Sequence, residues 1–148
     1  MRLFLDTCSL NRPWDDQTQV RIHLEAESVL HVIDQARQGT VELVSSDYLM
    51  EEIAANPDPL RQEEVIHLLT HARLHVSHKL ALAERAEALA AWSLQGYGAL
   101  HIAAAEAAAC DFLLTTDDKF IRRAARARDA IRVKVLNPFD YPPSSPTV

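Results

Sequence analysis

Glycine is scarce in this chain. Only Gly39, Gly96 and Gly98 occur among 148 residues. Phosphate-cradling loops need several glycines at fixed offsets, and neither Gly-x-Gly-x-x-Gly nor a Walker A run is present, so dinucleotide and nucleoside-triphosphate binding by those routes is excluded. Cysteine is scarcer still. Cys8 and Cys110 make no disulfide framework. Long apolar runs are missing, since none approaches the roughly 18–20 residues that a membrane span requires. The apolar opening meets Asp6 too soon for the core of a signal peptide. A cytoplasmic chain without membrane contact is therefore expected. What remains is ordinary for a globular protein: 48% hydrophobic and 24% charged residues. This length predicts one domain, able to bury about two-thirds of its unfolded surface without staples.

The net charge of −6 argues against a nucleic-acid partner until its distribution is read. Residues 119–134 hold Lys119, Arg122, Arg123, Arg126, Arg128, Arg132 and Lys134 against Asp129 alone, a net of +6, and the rest of the chain carries −12. A basic stripe beside an acidic body can bind a polyphosphate. A solvated helix face whose arginines suit the helix dipole is the structural alternative.

Hydrophobic periodicity gives the order β-α-β-α-α-β-α-α-β-α-β. Strands are expected at 2–5, 41–44, 74–77, 112–114 and 131–136. Helices are expected at 19–38, from Ser45 or Ser46 to Ala54, and at 60–72, 79–95, 99–109 and 117–128. Leu10–Asp16 reads as a loop broken by Pro13. Alternation of this kind predicts an α/β class, with a central parallel sheet in a three-layer α/β/α sandwich. The domain is expected over 1–140, followed by a flexible tail at 141–148.

Acids fall where such a sheet builds its site. Asp6 follows the first strand, Glu52 lies on the helix after the second, and Asp117 and Asp118 follow the fourth. Open parallel sheets bind ligands beyond the carboxyl ends of their strands, where the strand order reverses. With the first strand central, between the second and fourth, Asp6, Glu52 and Asp117 converge. Clustered carboxylates repel one another and are neutralised by a cation or a proton. Hard oxygen donors select Mg²⁺ or Mn²⁺ over zinc, and such an ion can activate water against a phosphodiester.

Four segments carry a resemblance: Leu5-Asp6-Thr7-Cys8-Ser9-Leu10-Asn11-Arg12-Pro13, then Ser45 to Glu52-Ile53, then Ala99-Leu100-His101-Ile102-Ala103, then Leu114-Thr115-Thr116-Asp117. The sequence resembles the PIN-domain family, the VapC-like metal-dependent ribonucleases that include toxins of toxin–antitoxin pairs. It looks most like a freestanding subgroup that opens Asp-Thr-Cys-x-Leu-Asn-Arg-Pro-x-Asp-Asp. The resemblance implies a PIN-like, Rossmann-like sandwich and Mg²⁺- or Mn²⁺-dependent cleavage of RNA, single-stranded or structured. It implies catalytic and metal-binding roles for Asp6, Glu52 (rather than Glu51) and Asp117, with Asp118 as an added ligand. Thr116 matches a hydroxyl position, and Arg12, Arg122 and Arg123 are assigned to substrate, with pairing to Asp15 or Asp16 as the alternative for Arg12. An antitoxin protein and a second copy of the chain are the expected partners. The family's acid before Ala-Leu-His is Gly98 here, so an impaired PIN-like module that binds RNA or protein stays open beside the nuclease.

Other features invite rival readings. His67, His71, His75 and His78 lack the spacing of a zinc site. A phosphoacceptor role fits poorly, because Asp6 is followed by Thr7-Cys8. Trp14 is a candidate substrate edge, whereas Trp92 is expected to pack. Both cysteines are expected to be buried thiols at opposite sheet ends. Thirteen alanines between 81 and 110, with apolar residues 22–33, offer either close internal packing or a dimer face.

Overall fold

A computed structural model describes residues 1–142. Its centre is a five-stranded, wholly parallel sheet of β1 (Arg2–Leu5), β2 (Glu42–Ser46), β3 (Leu74–Val76), β4 (Phe112–Leu114) and β5 (Lys134–Leu136) in the order β3-β2-β1-β4-β5. The first strand is thus the middle strand. Leu3 lies opposite Leu43 on one side and Phe112 on the other. Leu3, Phe4, Leu5, Leu43, Val44, Leu113 and Leu114 are fully buried, as expected for strands covered on both faces. Each such side chain contributes about 1.5–3 kcal/mol of burial energy.

Seven α-helices connect the strands: α1 (Thr7–Asn11), α2 (Val20–Gln38), α3 (Asp47–Ala54), α4 (Pro59–Leu69), α5 (Leu80–Leu89), α6 (Gly96–Ala107) and α7 (Asp118–Arg126). Right-handed crossovers place α1–α4 on one face. They place α5–α7 on the other, because the chain reverses direction across the sheet after β3. The reversal lies between β1 and β4, and this is the switch point at which such sheets form their crevices.

The helix ends are set by local chemistry. Ser46 accepts from Leu49 N–H and starts α3, a cap worth about 1 kcal/mol. Gly39, at φ +84°, closes α2 in the left-handed conformation. The helix expected at 79–95 stops at Leu89, runs through a tight turn to Trp92, and ends at Ser93 with φ +63°. The following helix starts at Gly96 rather than Ala99, so Gly98 sits in its first turn. The short helix α1, which five residues are too few to reveal by periodicity, takes in the first two residues of the Leu10–Asp16 segment read as a loop, and Arg12–Trp14 form a tight helical turn.

The alanine-rich helices pack on each other inside the molecule. Ala99, Ala103, Ala104 and Ala105 are buried. Trp14 is half-buried with part of its surface packed against the core, while Trp92 is exposed rather than packed. Tyr141 packs edge-on against Phe112, so the packed body extends past residue 140. Of the expected tail, residues 143–148 lie outside the described residues. Among the described residues no helix is long and apolar enough to cross a membrane.

Candidate functional site

Asp6 is the residue with which β1 ends and α1 begins. Its Oδ1 accepts from Ser9 N–H at 3.0 Å, which caps α1, and its own N–H donates to Leu114 O at 3.2 Å. The side chain is therefore anchored between the two central strands, 5% exposed. Burial pushes its carboxyl up from the ordinary range, against the Thr115 hydroxyl and Ser9 N–H, which favour the charge, and with added repulsion from Glu52. Thr115 also accepts from Asp117 N–H at 3.2 Å, so one buried hydroxyl ties the acid after β1 to the acid after β4.

Glu52 points from the second turn of α3 into the same space. Its Oε1 accepts from His101 Nε2–H at 2.9 Å and from the Thr7 hydroxyl. Burial opposes its ionisation, but these two bonds outweigh burial and hold the carboxyl below its ordinary value. Glu51 turns instead to Tyr97, whose hydroxyl donates to it at 3.1 Å. Asp117 caps α7, with Oδ1 accepting from Lys119 and Phe120 N–H at 3.0 and 3.2 Å. Glu52 Oε2 and Asp117 Oδ2 receive no hydrogen bond among the described residues.

The three acids line one cavity of about 170 Å³, together with Cys8, Gly98 and His101. Lys119, Phe120 and Arg123 from α7 line it too, as do Ser93, Leu94 and Gln95. Neither Lys119 nor Arg123 forms an ion pair among the described residues. The cavity thus has an anionic wall at the sheet and a cationic wall on α7. Cys8 reports the field of the first wall. By residue area it is exposed, contrary to expectation, yet the protein crowding its sulfur pushes the thiol up to about 12, reinforced by Asp6, Glu52 and Asp117. Cys110 is buried, and both thiols are free.

Some expected site residues lie elsewhere. Asp118 does not reach the cavity: one residue past the cap it has turned about 100° around the helix, and it pairs with Arg21 at 2.6 Å. Arg12 is held by Glu25 and Asp15, both at 2.9 Å, which leaves it little capacity for a phosphate. Thr116 is buried and does not line the cavity; Thr115 is the hydroxyl between the acids. Arg122 stands on the exposed side of α7, outside the cavity. Conversely, Lys119 of the basic stripe, Phe120 and His101 line it, although none of the three was among the expected site residues. For Lys119 a usable signal was its place two residues after an acid that caps a helix.

The donor set suits a hard divalent ion. Two acids have an oxygen without a protein partner, and the third is destabilised by burial in its charged form. As the side chains stand, no group of three or more His, Cys, Asp or Glu is close enough to hold a metal among the described residues. A cation would therefore have to draw the carboxylates together. At Gly98 the nearest atoms to an added Cβ would be those of the Phe120 ring, at 3.5 Å, an ordinary contact, so the position is open rather than blocked.

No family model matches the chain, and no curated protein matches it. Among solved structures it is similar to a chain of VapBC2 from Rickettsia felis, determined bound to a DNA fragment from their promoter. The TM-score is 0.56 at 11% identity, covering 93% of this chain and 98% of that one. At that identity the likeness concerns the fold, which is PIN-like: one α/β domain on a five-stranded parallel sheet.

Proposed function

We propose that the chain is a PIN-type endoribonuclease that hydrolyses phosphodiester bonds of single-stranded RNA. One observation carries this reading. Asp6, Glu52 and Asp117, from three remote segments, line one cavity at the switch point, together with two cations, Lys119 and Arg123, that have no acidic partner among the described residues.

The three acids would hold Mg²⁺ or Mn²⁺. When bound, the ion supplies Lewis-acid activation of water and of the phosphate. The chain's own residues do the rest. His101 and Thr7 keep Glu52 ionised and aimed into the cavity. Thr115 and Ser9 fix Asp6. Arg123 and Lys119 hold the phosphate and offset the charge that develops on it. Arg122 draws the strand in from solvent.

The structural likeness to a chain of a VapBC2 assembly supports the finer reading that this is the toxin of a toxin–antitoxin pair, with an antitoxin and a second copy as partners. A cytoplasmic location goes with it. The alternative, a PIN-like binding module without catalysis, is favoured by Gly98 and by the separation of the carboxylates.

The test is cleavage of a labelled single-stranded RNA by metal-stripped protein, with Mn²⁺ then restored. Cleavage that needs Mn²⁺ and disappears in Asp6→Asn supports the nuclease. If cleavage survives undiminished in Asp6→Asn, the assignment fails. Absence of both cleavage and Mn²⁺ binding by calorimetry leaves the module.

A further inference from the structure

Eight of the fifteen lysines and arginines form no ion pair among the described residues, and six of the eight lie between 119 and 134. Elsewhere arginines are neutralised inside the fold: Arg12 and Arg21 by the buried Glu25, Arg61 by Asp15, Arg85 by the buried Glu106. Lys119, Arg122, Arg123 and Arg126 stand at i, i+3, i+4 and i+7, which is one face of a helix. The other side of α7 buries Ala124 and packs Phe120 and Ile121 against the core. The helix dipole favours Arg123 and Arg126 in the last turn, but it does not account for the rest of the arrangement. Lys119 and Arg123 repel as a like-charged i, i+4 pair, as do Arg122 and Arg126. Lys119 also opposes the helix dipole, since it sits in the first turn.

The stripe has two ends. Lys119 and Arg123 line the acidic cavity. Round the flank of α7, past Arg122, the helix residues Ala124 and Ala125 together with Arg128, Arg132 and Lys134 line a second hollow of about 340 Å³ towards β5, with an apolar floor from Val133 and its neighbours. Nine helical residues separate the ends, roughly 13 Å of rise. Arg128 donates only to Ala125 O, and Lys134 is exposed and unpaired among the described residues.

We infer that the cationic face of α7 is the path of the RNA strand away from the cavity, and that the α7–β5 hollow is a distal subsite for its sugar–phosphate backbone. Arg128 and Lys134 take phosphates there, and the apolar lining accepts a ribose or base face. This inference rests on the nuclease reading for what lies at the cavity end. The surface itself requires only a single-stranded polyanion, because cations spaced along a helix match phosphates spaced along a chain.

The experiment measures binding in EDTA, where catalysis plays no part. Fluorescent 20-nucleotide and 4-nucleotide single-stranded RNAs are titrated against the Asp6→Asn chain with and without Arg126→Ala, Arg128→Ala and Lys134→Ala together. All three positions are exposed, and unchanged circular dichroism and melting confirm folding. Losing three single-strand phosphate contacts lowers the salt slope by about 2, so between 50 and 200 mM salt the parent loses about sixteenfold more affinity for the 20-mer than the variant does. The 4-mer, held at the cavity end, binds both proteins alike. Equal salt slopes for the 20-mer overturn the proposal, and so does equal weakening of the 4-mer. A variant that loses duplex DNA as strongly as single-stranded RNA overturns the choice of ligand. Absence of Mn²⁺-dependent cleavage with the slopes as expected removes the nuclease reading and leaves this surface standing.

Discussion

Replacing Gly98 with aspartate places a fourth acid in the cavity, and the backbone there can take it. Gly98 is the third residue of α6, does not lie in the left-handed region, and a Cβ would rest against the Phe120 ring at 3.5 Å. Helix propensity favours the change by about 0.3 kcal/mol, and an acid in a first turn adds about 0.3–1 kcal/mol through the helix dipole. Against this stands repulsion from the acids lining the same cavity, about 1–2 kcal/mol in a half-solvated site. Without metal the variant should therefore be within about 1 kcal/mol of the parent. With Mn²⁺ the balance reverses. A tenfold tighter site is worth about 1.4 kcal/mol, and for a domain of this size that adds about 3–5 °C to the metal-induced rise in melting temperature. Calorimetry with Mn²⁺ and melting with and without the ion measure both quantities, and the cleavage rate should rise with them. An Mn²⁺ affinity in Gly98→Asp equal to or weaker than the parent's would refute the argument that these carboxylates form a cation site lacking one donor.

Asp6→Asn should raise stability at neutral pH, since asparagine caps α1 as well as aspartate does and carries no buried charge. The sign follows from the raised folded-state carboxyl: the parent is most favoured below the ordinary carboxylate range and loses stability as pH rises toward the folded value. Denaturant melts should therefore show a larger gain of the variant over the parent at pH 7 than at pH 4. His101→Leu should release Glu52 from its depressed value and weaken Mn²⁺ binding about 10–100-fold, as lost outer-shell partners do, read by calorimetry. Arg85→Ala leaves the buried Glu106, whose side chain is 1% exposed, without its main partner and should cost about 3–5 kcal/mol in urea unfolding. In the parent, burial opposes the Glu106 charge but Arg85 and Arg132 N–H outweigh it. Its stabilisation is therefore complete above the ordinary carboxylate range and fades as pH falls through the lowered folded value.

The sheet was legible because it rests on long-range logic that local patterns carry well. Five apolar runs separated by helical periods leave few right-handed arrangements, and a central β1 brings Asp6 beside the exit of β4. The identities of the converging acids followed from strand ends. What did not follow was rotation about a helix axis and side-chain competition. Asp117 and Asp118 are neighbours in sequence, yet one caps α7 beside the cavity and the other meets Arg21, 97 positions away. For Arg12 the sequence left a phosphate or a neighbouring Asp as partner; it pairs with Asp15, and also with Glu25, thirteen residues on, whose burial no local pattern revealed. Trp92 seemed bound to pack because its neighbours are alanines, but the left-handed turn at Ser93 ends its helix before the ring is covered.

The pairing of β1 with β4 sets an order of events during synthesis. Asp6 and Glu52 emerge from the ribosome early, and Asp117 follows 65 residues after Glu52. At about 5–20 residues per second that interval lasts roughly 3–13 s. Throughout it the nascent polypeptide holds two of the three acids and none of the cations of α7. Because β1 stays without its β4 edge until then, the incomplete product has neither wall of the cavity closed.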